Sequence, residues 1–232
     1  MSIHGRQDLA SPEILGARLA KFLNLHFFVT TLQGRYITHE QRAGQVDVAL
    51  SGLDRLSRLF QNIFEMTQID AGAIAPAAIW VYPAEIIAIA RAQVEHALRA
   101  HVVRVVDGTN GHAVRVDARL TSAALAHLLE NAAQYSPEGT TITVTPELTA
   151  EGLGLSVQDQ GAGILQSQLP HLFERFYRGA EAHRHISGTG MGLAIVQGLL
   201  AVIGGRVWAQ NVAGNGARFS MVVPAERRVT ED

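Results

Sequence analysis

The chain has no cysteine among its 232 residues, which excludes disulfides and cysteine-ligated zinc sites and fits a reducing compartment. It also has no long apolar run. The longest candidate, 191–203, contains Gly192 and Gly198 and is shorter than the roughly 18 residues of a membrane span. The first residues lack the apolar core of a signal peptide. We therefore expect no membrane segment in this chain and a cytoplasmic location.

A strong charge of either sign is missing as well. Nineteen Lys and Arg residues against 21 Asp and Glu residues leave a formal net charge of −2. Because the basic residues are spread along the chain, they predict no electrostatic surface for nucleic acid. The 47% of hydrophobic residues is enough to build real cores. The composition thus predicts a globular protein of one large domain or two small ones, without a nucleic-acid partner.

Residues 1–74 carry two helical patterns. Apolar residues recur at spacings of three and four from Ser11 to Leu32, and again from Thr38 to Gly72. The second pattern opens with a hydroxyl residue followed three positions later by an amide, as in a capping box. A short turn between them predicts an antiparallel hairpin. One hairpin cannot cover both of its apolar faces, so we expect a homodimer that forms a four-helix bundle.

Residues 75–232 change to short β-rich runs that alternate with helices. The predicted strands are Ile79–Tyr82, Val102–Val106, Ala113–Val116, Thr141–Thr145, Leu153–Gln158, Arg206–Gln210 and Ala217–Val223. The predicted helices are Ala84–Arg99, Thr121–Tyr135 and Gly190–Ile203. This order predicts an α/β sandwich with one sheet and helices on one face, closed by an antiparallel pair of strands. The whole chain is therefore predicted to be α+β, with domains 1–74 and 75–232.

The first glycine cluster follows an aspartate. Gly161 and Gly163 after Asp159 allow the backbone to turn tightly beside a ligand. The aspartate is able to accept a hydrogen bond from an adenine amino group. On its own such a motif is usually only a turn.

The second glycine cluster precedes a helix. Gly188, Gly190 and Gly192 lead into the apolar segment Leu193–Ile203. The backbone N–H groups at the start of that helix and the positive end of its dipole favour an anion such as phosphate. This cluster is the stronger of the two signals, because a loop that opens a helix has a direct use in phosphate binding.

Polar residues occupy one face of the predicted helix between Thr121 and Tyr135. His127, Asn131 and Gln134 fall at i, i+4 and i+7 and therefore share a face. The side-chain oxygen of Asn131 suits a Mg²⁺ that also holds phosphate oxygens. Tyr135 is placed to stack beside a base. Taken with the glycine clusters, this face predicts a site for Mg²⁺ and ATP.

The order of these motifs resembles the catalytic core of bacterial sensor histidine kinases, members of the GHKL ATP-binding superfamily. Four stretches are similar to the N, G1, F and G2 boxes of that family: His127–Pro137, Asp159–Gly163, Phe173–Gly179 and Gly188–Gly192. The resemblance covers nearly the whole chain. It implies a GHKL-type sandwich that follows a dimerisation and phosphotransfer hairpin.

The resemblance also implies roles for individual residues. It implies that Asn131 binds Mg²⁺, that Tyr135 and Asp159 hold adenine, and that the glycines shape the pocket. It further implies a mobile lid over Ile164–Ser187, and an Arg178 that neutralises charge on the γ-phosphate. Many relatives have a lysine where this chain has Gln134 and an asparagine where it has His127. Loss of the lysine predicts a weaker nucleotide affinity.

Residues 7–12 keep the frame of the family's H box, which has the form His-Asp/Glu-Leu-Arg-Thr/Ser-Pro. Gln7 stands at the phosphoacceptor position and Ala10 replaces the arginine. The lone pair of a glutamine amide nitrogen is delocalised into its carbonyl, so Gln7 is not expected to accept phosphate. Asp8, which the family uses to orient or deprotonate the histidine, then has no group to activate.

Three functions follow from this pattern. The first is a histidine-kinase core of a two-component system that binds Mg-ATP without its own acceptor, and either phosphorylates a partner in trans or serves as a regulatory ATP-binding dimer. A response regulator or a partner kinase is implied, together with a longer parent that supplies the sensor. The second is an active kinase whose acceptor is His4 or His39. The third, a gyrase- or chaperone-like ATPase, is disfavoured because it needs a glutamate where His127 stands.

Overall fold

The computed structural model of the protein describes residues 39–178, 189–213 and 216–228. The first predicted helix, with Gln7 and Asp8, lies outside the described residues, as does Gly188. The chain divides into two compact units, Met1–Gln61 and Asn62–Asp232. The predicted domain boundary between residues 74 and 75 stays a prediction. In the described ranges no helix combines the length and the apolarity that a membrane span requires.

Helix α1 (His39–Asp70) corresponds to the second predicted helix. It ends where Gly72 takes a left-handed φ of 60° and donates its N–H to the carbonyl of Ile69. Glycine favours this conformation, which commonly terminates helices. Several large apolar side chains of α1 remain exposed, namely Leu50, Leu53, Phe60, Ile63 and Phe64.

The second unit contains two sheets. The larger one has five strands in the order β2-β4-β5-β7-β6, with β2 and β4 parallel and the other pairs antiparallel. Its strands are β2 (Val102–Val105), β4 (Thr141–Thr149), β5 (Gly152–Gln158), β6 (Arg206–Asn211) and β7 (Ala217–Val223). The antiparallel pair β6 and β7 closes the sheet, as predicted.

The smaller sheet corrects the prediction of a single sheet. It has three antiparallel strands in the order β1-β3-β8, which are β1 (Ile79–Val81), β3 (Ala113–Val116) and β8 (Glu226–Arg228). Strand β8 was not predicted, because its three residues are charged and exposed and have no apolar alternation. It is paired with β3 and is joined to it by an ion pair between Arg115 and Glu226 at 2.9 Å.

Four more helices belong to the second unit: α2 (Pro83–Gln93), α3 (Glu95–Leu98), α4 (Ala118–Tyr135) and α5 (Gly192–Val202). The predicted helix Ala84–Arg99 is therefore two helices, separated at Val94, whose φ of −119° and ψ of 22° are not helical. A 3-10 turn at Leu169–His171 precedes the F box (residues 173–179).

The core lies between the helices α4 and α5 and the larger sheet. Its fully buried members include Leu125, Leu128, Leu129, Ile142, Val144, Val157, Ile195 and Leu200. Burying one such side chain contributes about 1.5–3 kcal/mol. This packing fixes α4 and α5 against the sheet and so positions the ends of both helices, which carry the predicted site residues.

Candidate nucleotide-binding site

Helix α4 begins at a buried carboxylate. Asp117 accepts the backbone N–H of Leu120 at 2.9 Å and that of Ala77 at 2.7 Å. The first bond caps the helix and the second joins it to the segment before β1. The apolar side of α4 is buried in the core, whereas His127, Asn131 and Gln134 are only partly buried. The structure therefore brings these three predicted residues together on one helix face.

His127 is held by a residue of α1. Its Nε2 lies 3.1 Å from Oε2 of Glu65 in α1. The histidine side chain is 15% exposed and the glutamate side chain 40%. Sequence reasoning missed Glu65, because nothing in the local pattern of α1 pairs it with a residue 62 positions away.

Asp159 organises the G1 turn (residues 159–163). Its Oδ1 accepts the N–H of Gly161 at 2.8 Å and the N–H of Ala217 at 3.1 Å. No described residue donates to Oδ2. The side chain is buried, and this burial raises the pKa of the Asp159 carboxyl, an effect that the two backbone N–H groups partly offset. The geometry thus presents a buried carboxylate with one oxygen used by the turn and one available to a ligand.

Gly161 lets the G1 turn approach the end of α4. A Cβ at this position would overlap the carbonyl oxygen of Tyr135. Glycine is therefore required by close approach, and this packing joins Asp159 to the C-terminal end of α4. The side chain of Gln160 extends the junction, because its Oε1 accepts the N–H of Thr141 at 2.9 Å.

Gly163 and Asn211 shape the exit from the G1 turn. Gly163 has a φ of 79°, and a Cβ there would come 3.0 Å from Oδ1 of Asn211. The Asn211 amide binds both backbone groups of Ile164: Oδ1 accepts its N–H and Nδ2 donates to its carbonyl, each at 2.7 Å. Asn211 was not predicted, since a lone asparagine at the end of a strand carries no signal of this role.

The G2 segment packs on the F box. Gly190 has a φ of 71°, and a Cβ there would lie 2.8 Å from the carbonyl oxygen of Tyr177 and 2.9 Å from the carbonyl carbon of Phe176. Phe176 has a left-handed φ of 62°, which is strained for an aromatic residue. Strained backbone of this kind is common at binding sites.

Arg178 lies near Tyr135. Burial raises the pKa of the Tyr135 hydroxyl, and the positive charge of Arg178 acts in the opposite direction. The charge of the predicted F-box cation therefore reaches the predicted adenine-stacking residue at the end of α4.

The sequence predicted that helix α5 begins at Gly190, but in the structure it begins at Gly192. No described side chain caps the N–H groups of its first turn beyond a 3.3 Å bond from the Met191 N–H to the Thr189 hydroxyl. The uncapped first turn of this 11-residue helix suits an anion. A Cβ at Gly192 would lie 3.8 Å from Nδ1 of His127, so the polar face of α4 lies beside the start of α5.

Comparison with known proteins identifies the architecture. A family model described as "Histidine kinase-, DNA gyrase B-, and HSP90-like ATPase" matches residues 116–227. The sensor histidine kinase WalK of Bacillus subtilis is 27% identical over 184 residues, which cover 77% of this chain and 30% of WalK. The structure of the mycobacterial sensor histidine kinase MprB is 26% identical with a TM-score of 0.56, covering 66% of this chain and 100% of that chain.

These matches support a histidine-kinase-like ATP-binding core over residues 116–227. Full-length ShkA in complex with AMPPNP has the same fold, with a TM-score of 0.69 at 23% identity over 92% of this chain and 47% of that chain. The chain spans less than half the length of the curated relatives it matches.

The residues of the core fit a nucleotide. Oδ2 of Asp159 is an acceptor for an exocyclic amino group, the backbone carbonyl of Tyr135 lies on the other side of Gly161, and the uncapped start of α5 suits phosphates. A cavity of about 260 Å³ next to the G1 turn is lined by Arg104, Thr141, Thr143, Gln158, Asp159 and Gln160. It shares only Asp159 with the predicted site residues that the structure describes, so the cavity does not define the nucleotide site.

A protein-only metal site is absent from the part of the chain that the structure describes. No three His, Asp or Glu side chains there could hold an ion together. A Mg²⁺ at Asn131 would therefore take most of its ligands from phosphate and water, which is the usual arrangement for that ion.

Proposed function

We propose that this chain is the catalytic core of a two-component sensor histidine kinase that binds Mg-ATP but does not phosphorylate itself at position 7. The observation that carries the proposal is the G1 turn. Asp159 is buried, two backbone N–H groups share its Oδ1, and the turn is packed against the end of α4. Burying a carboxylate that keeps one free acceptor oxygen costs stability. Recognition of an adenine amino group by that oxygen would explain why the carboxylate is present.

Each nucleotide group has a holder in this proposal. Asp159 and Tyr135 bind the base, and Asn131 holds Mg²⁺ together with the phosphate oxygens. The start of α5 at Gly192 receives the phosphates, and Arg178 neutralises part of their charge. The bound ATP supplies the γ-phosphoryl group, while the protein contributes positions and charges.

The acceptor is the departure from the family. Gln7 stands where the family has its phosphoacceptor histidine, and its amide nitrogen is not nucleophilic. With the acceptor missing, the core either transfers phosphate to a partner chain or reports nucleotide binding to a partner such as a response regulator or a second kinase. An active kinase that uses His4 or His39 is the alternative.

A homodimer is part of the proposal. The exposed apolar side chains of α1 support it, in particular Phe60 and Phe64, each 64% exposed. Exposed apolar stripes of this kind usually mark an interface. Light scattering should give about twice the chain mass of 25.0 kDa, and a double change of both phenylalanines to Ser should reduce it. A monomeric mass for the unaltered chain would contradict this part of the proposal.

Nucleotide binding tests the proposed function directly. Isothermal titration with AMPPNP in the presence of Mg²⁺ should show one site per chain, and removal of Mg²⁺ with EDTA should weaken it. Asn131→Ala should weaken binding in Mg²⁺ and should make it insensitive to EDTA. Lack of binding by the unaltered chain would refute the proposal, and an EDTA effect of the same size in Asn131→Ala would refute the role of Asn131.

A further inference from the structure

We propose that Glu65 is a positioning residue for His127, so that nucleotide affinity depends on the placement of the C-terminal end of α1. The inference rests on the proposed function, since it concerns the same nucleotide site. It adds a residue outside the four sequence boxes, on a helix that the sequence associates with dimerisation.

The hydrogen bond determines which ring nitrogen carries a proton. An ionised carboxylate only accepts hydrogen bonds, so the 3.1 Å contact with Oε2 of Glu65 requires a proton on Nε2 of His127. The other nitrogen, Nδ1, is then on the side of α5, where a Cβ at Gly192 would approach it to 3.8 Å. Glu65 therefore sets both the protonated nitrogen and the orientation of the ring, as carboxylate partners of functional histidines commonly do.

The end of α1 is itself anchored near the nucleotide boxes. Asn62 donates to the Thr189 hydroxyl at 2.9 Å, next to the G2 glycines. Asp70 accepts two bonds from Arg175 of the F box, at 2.6 and 2.8 Å. With Glu65 on the N box (residues 127–137), three polar side chains of one helix end contact three different boxes.

Apolar packing supports the same placement. Met66 is buried, and a Cβ at Gly198 of α5 would come within 2.9 Å of Cγ2 of Ile69. Gly198 thus leaves room for α1 to lie close to α5. Residues on one face of α1 therefore contact α5 and the nucleotide boxes, by packing and by hydrogen bonds, and these contacts hold Glu65 at His127.

Two consequences follow for the nucleotide. The imidazole is held with its Nδ1 edge at the start of α5, where the phosphates are expected. In addition, α1 is one continuous helix from His39 to Asp70. A shift or rotation of its last turns would withdraw Glu65 and release the ring, so the helix acts on nucleotide affinity through this contact.

A double-mutant cycle tests the coupling in the full chain. AMPPNP with Mg²⁺ is titrated into the unaltered protein, Glu65→Leu, His127→Leu and the double variant. Glu65→Leu should weaken binding about tenfold, in the range measured for residues that orient functional histidines. It should have no further effect once His127 is replaced, because the two residues act as a unit. Glu65→Gln retains an acceptor oxygen for Nε2–H and should restore most of the affinity.

The matched control is Glu151→Leu, which removes an exposed glutamate bonded to Arg206 at the turn between β4 and β5. It should leave the affinity unchanged. The ring nitrogens of His127 give a second readout by ¹⁵N NMR, with the signal assigned by its loss in His127→Leu. The Nε2-protonated fraction of the neutral ring should be close to complete in the unaltered protein and smaller in Glu65→Leu.

The outcomes separate the two proposals. If the unaltered chain binds the nucleotide and Glu65→Leu binds it equally well, the positioning role is overturned and the proposed function stands. Additive losses in the double variant would also overturn it. If the unaltered chain binds no nucleotide, the proposed function fails and this inference fails with it.

Discussion

Replacing Asp159 by Asn and by Ala separates the structural task of this residue from its task in binding. Oδ1 accepts two backbone N–H groups, from Gly161 at 2.8 Å and from Ala217 at 3.1 Å. Asp159→Ala leaves both donors without their acceptor, at about 1–3 kcal/mol each. The expected loss of roughly 2–6 kcal/mol is a large part of the 5–15 kcal/mol that stabilises a typical domain.

Asp159→Asn keeps an acceptor oxygen for the turn but exchanges Oδ2 for an NH₂ group. That group is a donor and faces the donor of an adenine amino group, so the hydrogen bond is lost. A hydrogen bond to a charged group is worth about 1.5–3 kcal/mol, which corresponds to about 10- to 150-fold in affinity. The Asn variant should therefore fold well and bind poorly, whereas the Ala variant should fold poorly.

Urea unfolding and titration with AMPPNP measure the two effects separately. Asp159→Asn with unchanged affinity would show that this carboxylate does not recognise the base. Asp159→Ala with unchanged unfolding free energy would show that the two backbone bonds do not hold the turn. Either result refutes the reasoning about the G1 turn.

Three further predictions concern the same segments. Burial raises the pKa of Asp159, so its contribution to stability is fully present below its unfolded pKa of about 3.9 and is lost as the pH rises through the higher folded value. Between pH 4 and pH 7, urea unfolding should show the unfolding free energy of Asp159→Asn rising relative to that of the unaltered chain, and a constant difference would contradict this. Gly161→Ala places a Cβ on the Tyr135 carbonyl and should lower the unfolding free energy by about 1–3 kcal/mol and remove most of the nucleotide affinity. The control is Gly52→Ala, because a Cβ at Gly52 in α1 meets open space. It should raise the unfolding free energy by up to about 1 kcal/mol. Asn211→Ala removes both hydrogen bonds to Ile164 and should weaken nucleotide binding with little change in melting temperature. An unchanged affinity would show that these two bonds are not needed for binding.

The sequence predicted the parts of the site that depend on neighbours along the chain. His127, Asn131 and Gln134 share a helix face because helical periodicity places them there. Gly161 was predicted as a turn residue, and Gly190 as the first residue of a helix that opens with a phosphate-binding glycine cluster. The structure adds a reason for both glycines, which is close backbone approach to Tyr135 and to the F box. Predicted strand ends were accurate where apolar alternation is clear, as in Ala113–Val116.

Other features depend on partners that no local pattern reveals. The contacts of Glu65 with His127 and of Asn62 with Thr189 join residues 62 and 127 positions apart. Alternation marks a strand without naming its neighbour, which is why one sheet was predicted and two are present. Strand β8 was not predicted because pairing with β3, and not burial, stabilises its charged residues.

Incorporation of phosphate from γ-labelled ATP tests the central claim, a competent nucleotide site without its own acceptor. The unaltered chain and Gln7→His are incubated with label and Mg²⁺, and protein-bound label is tested for the acid lability of a phosphoramidate. The account predicts acid-labile label in Gln7→His and none in the unaltered chain. Acid-labile label on the unaltered chain would contradict it, because another histidine would then be the acceptor.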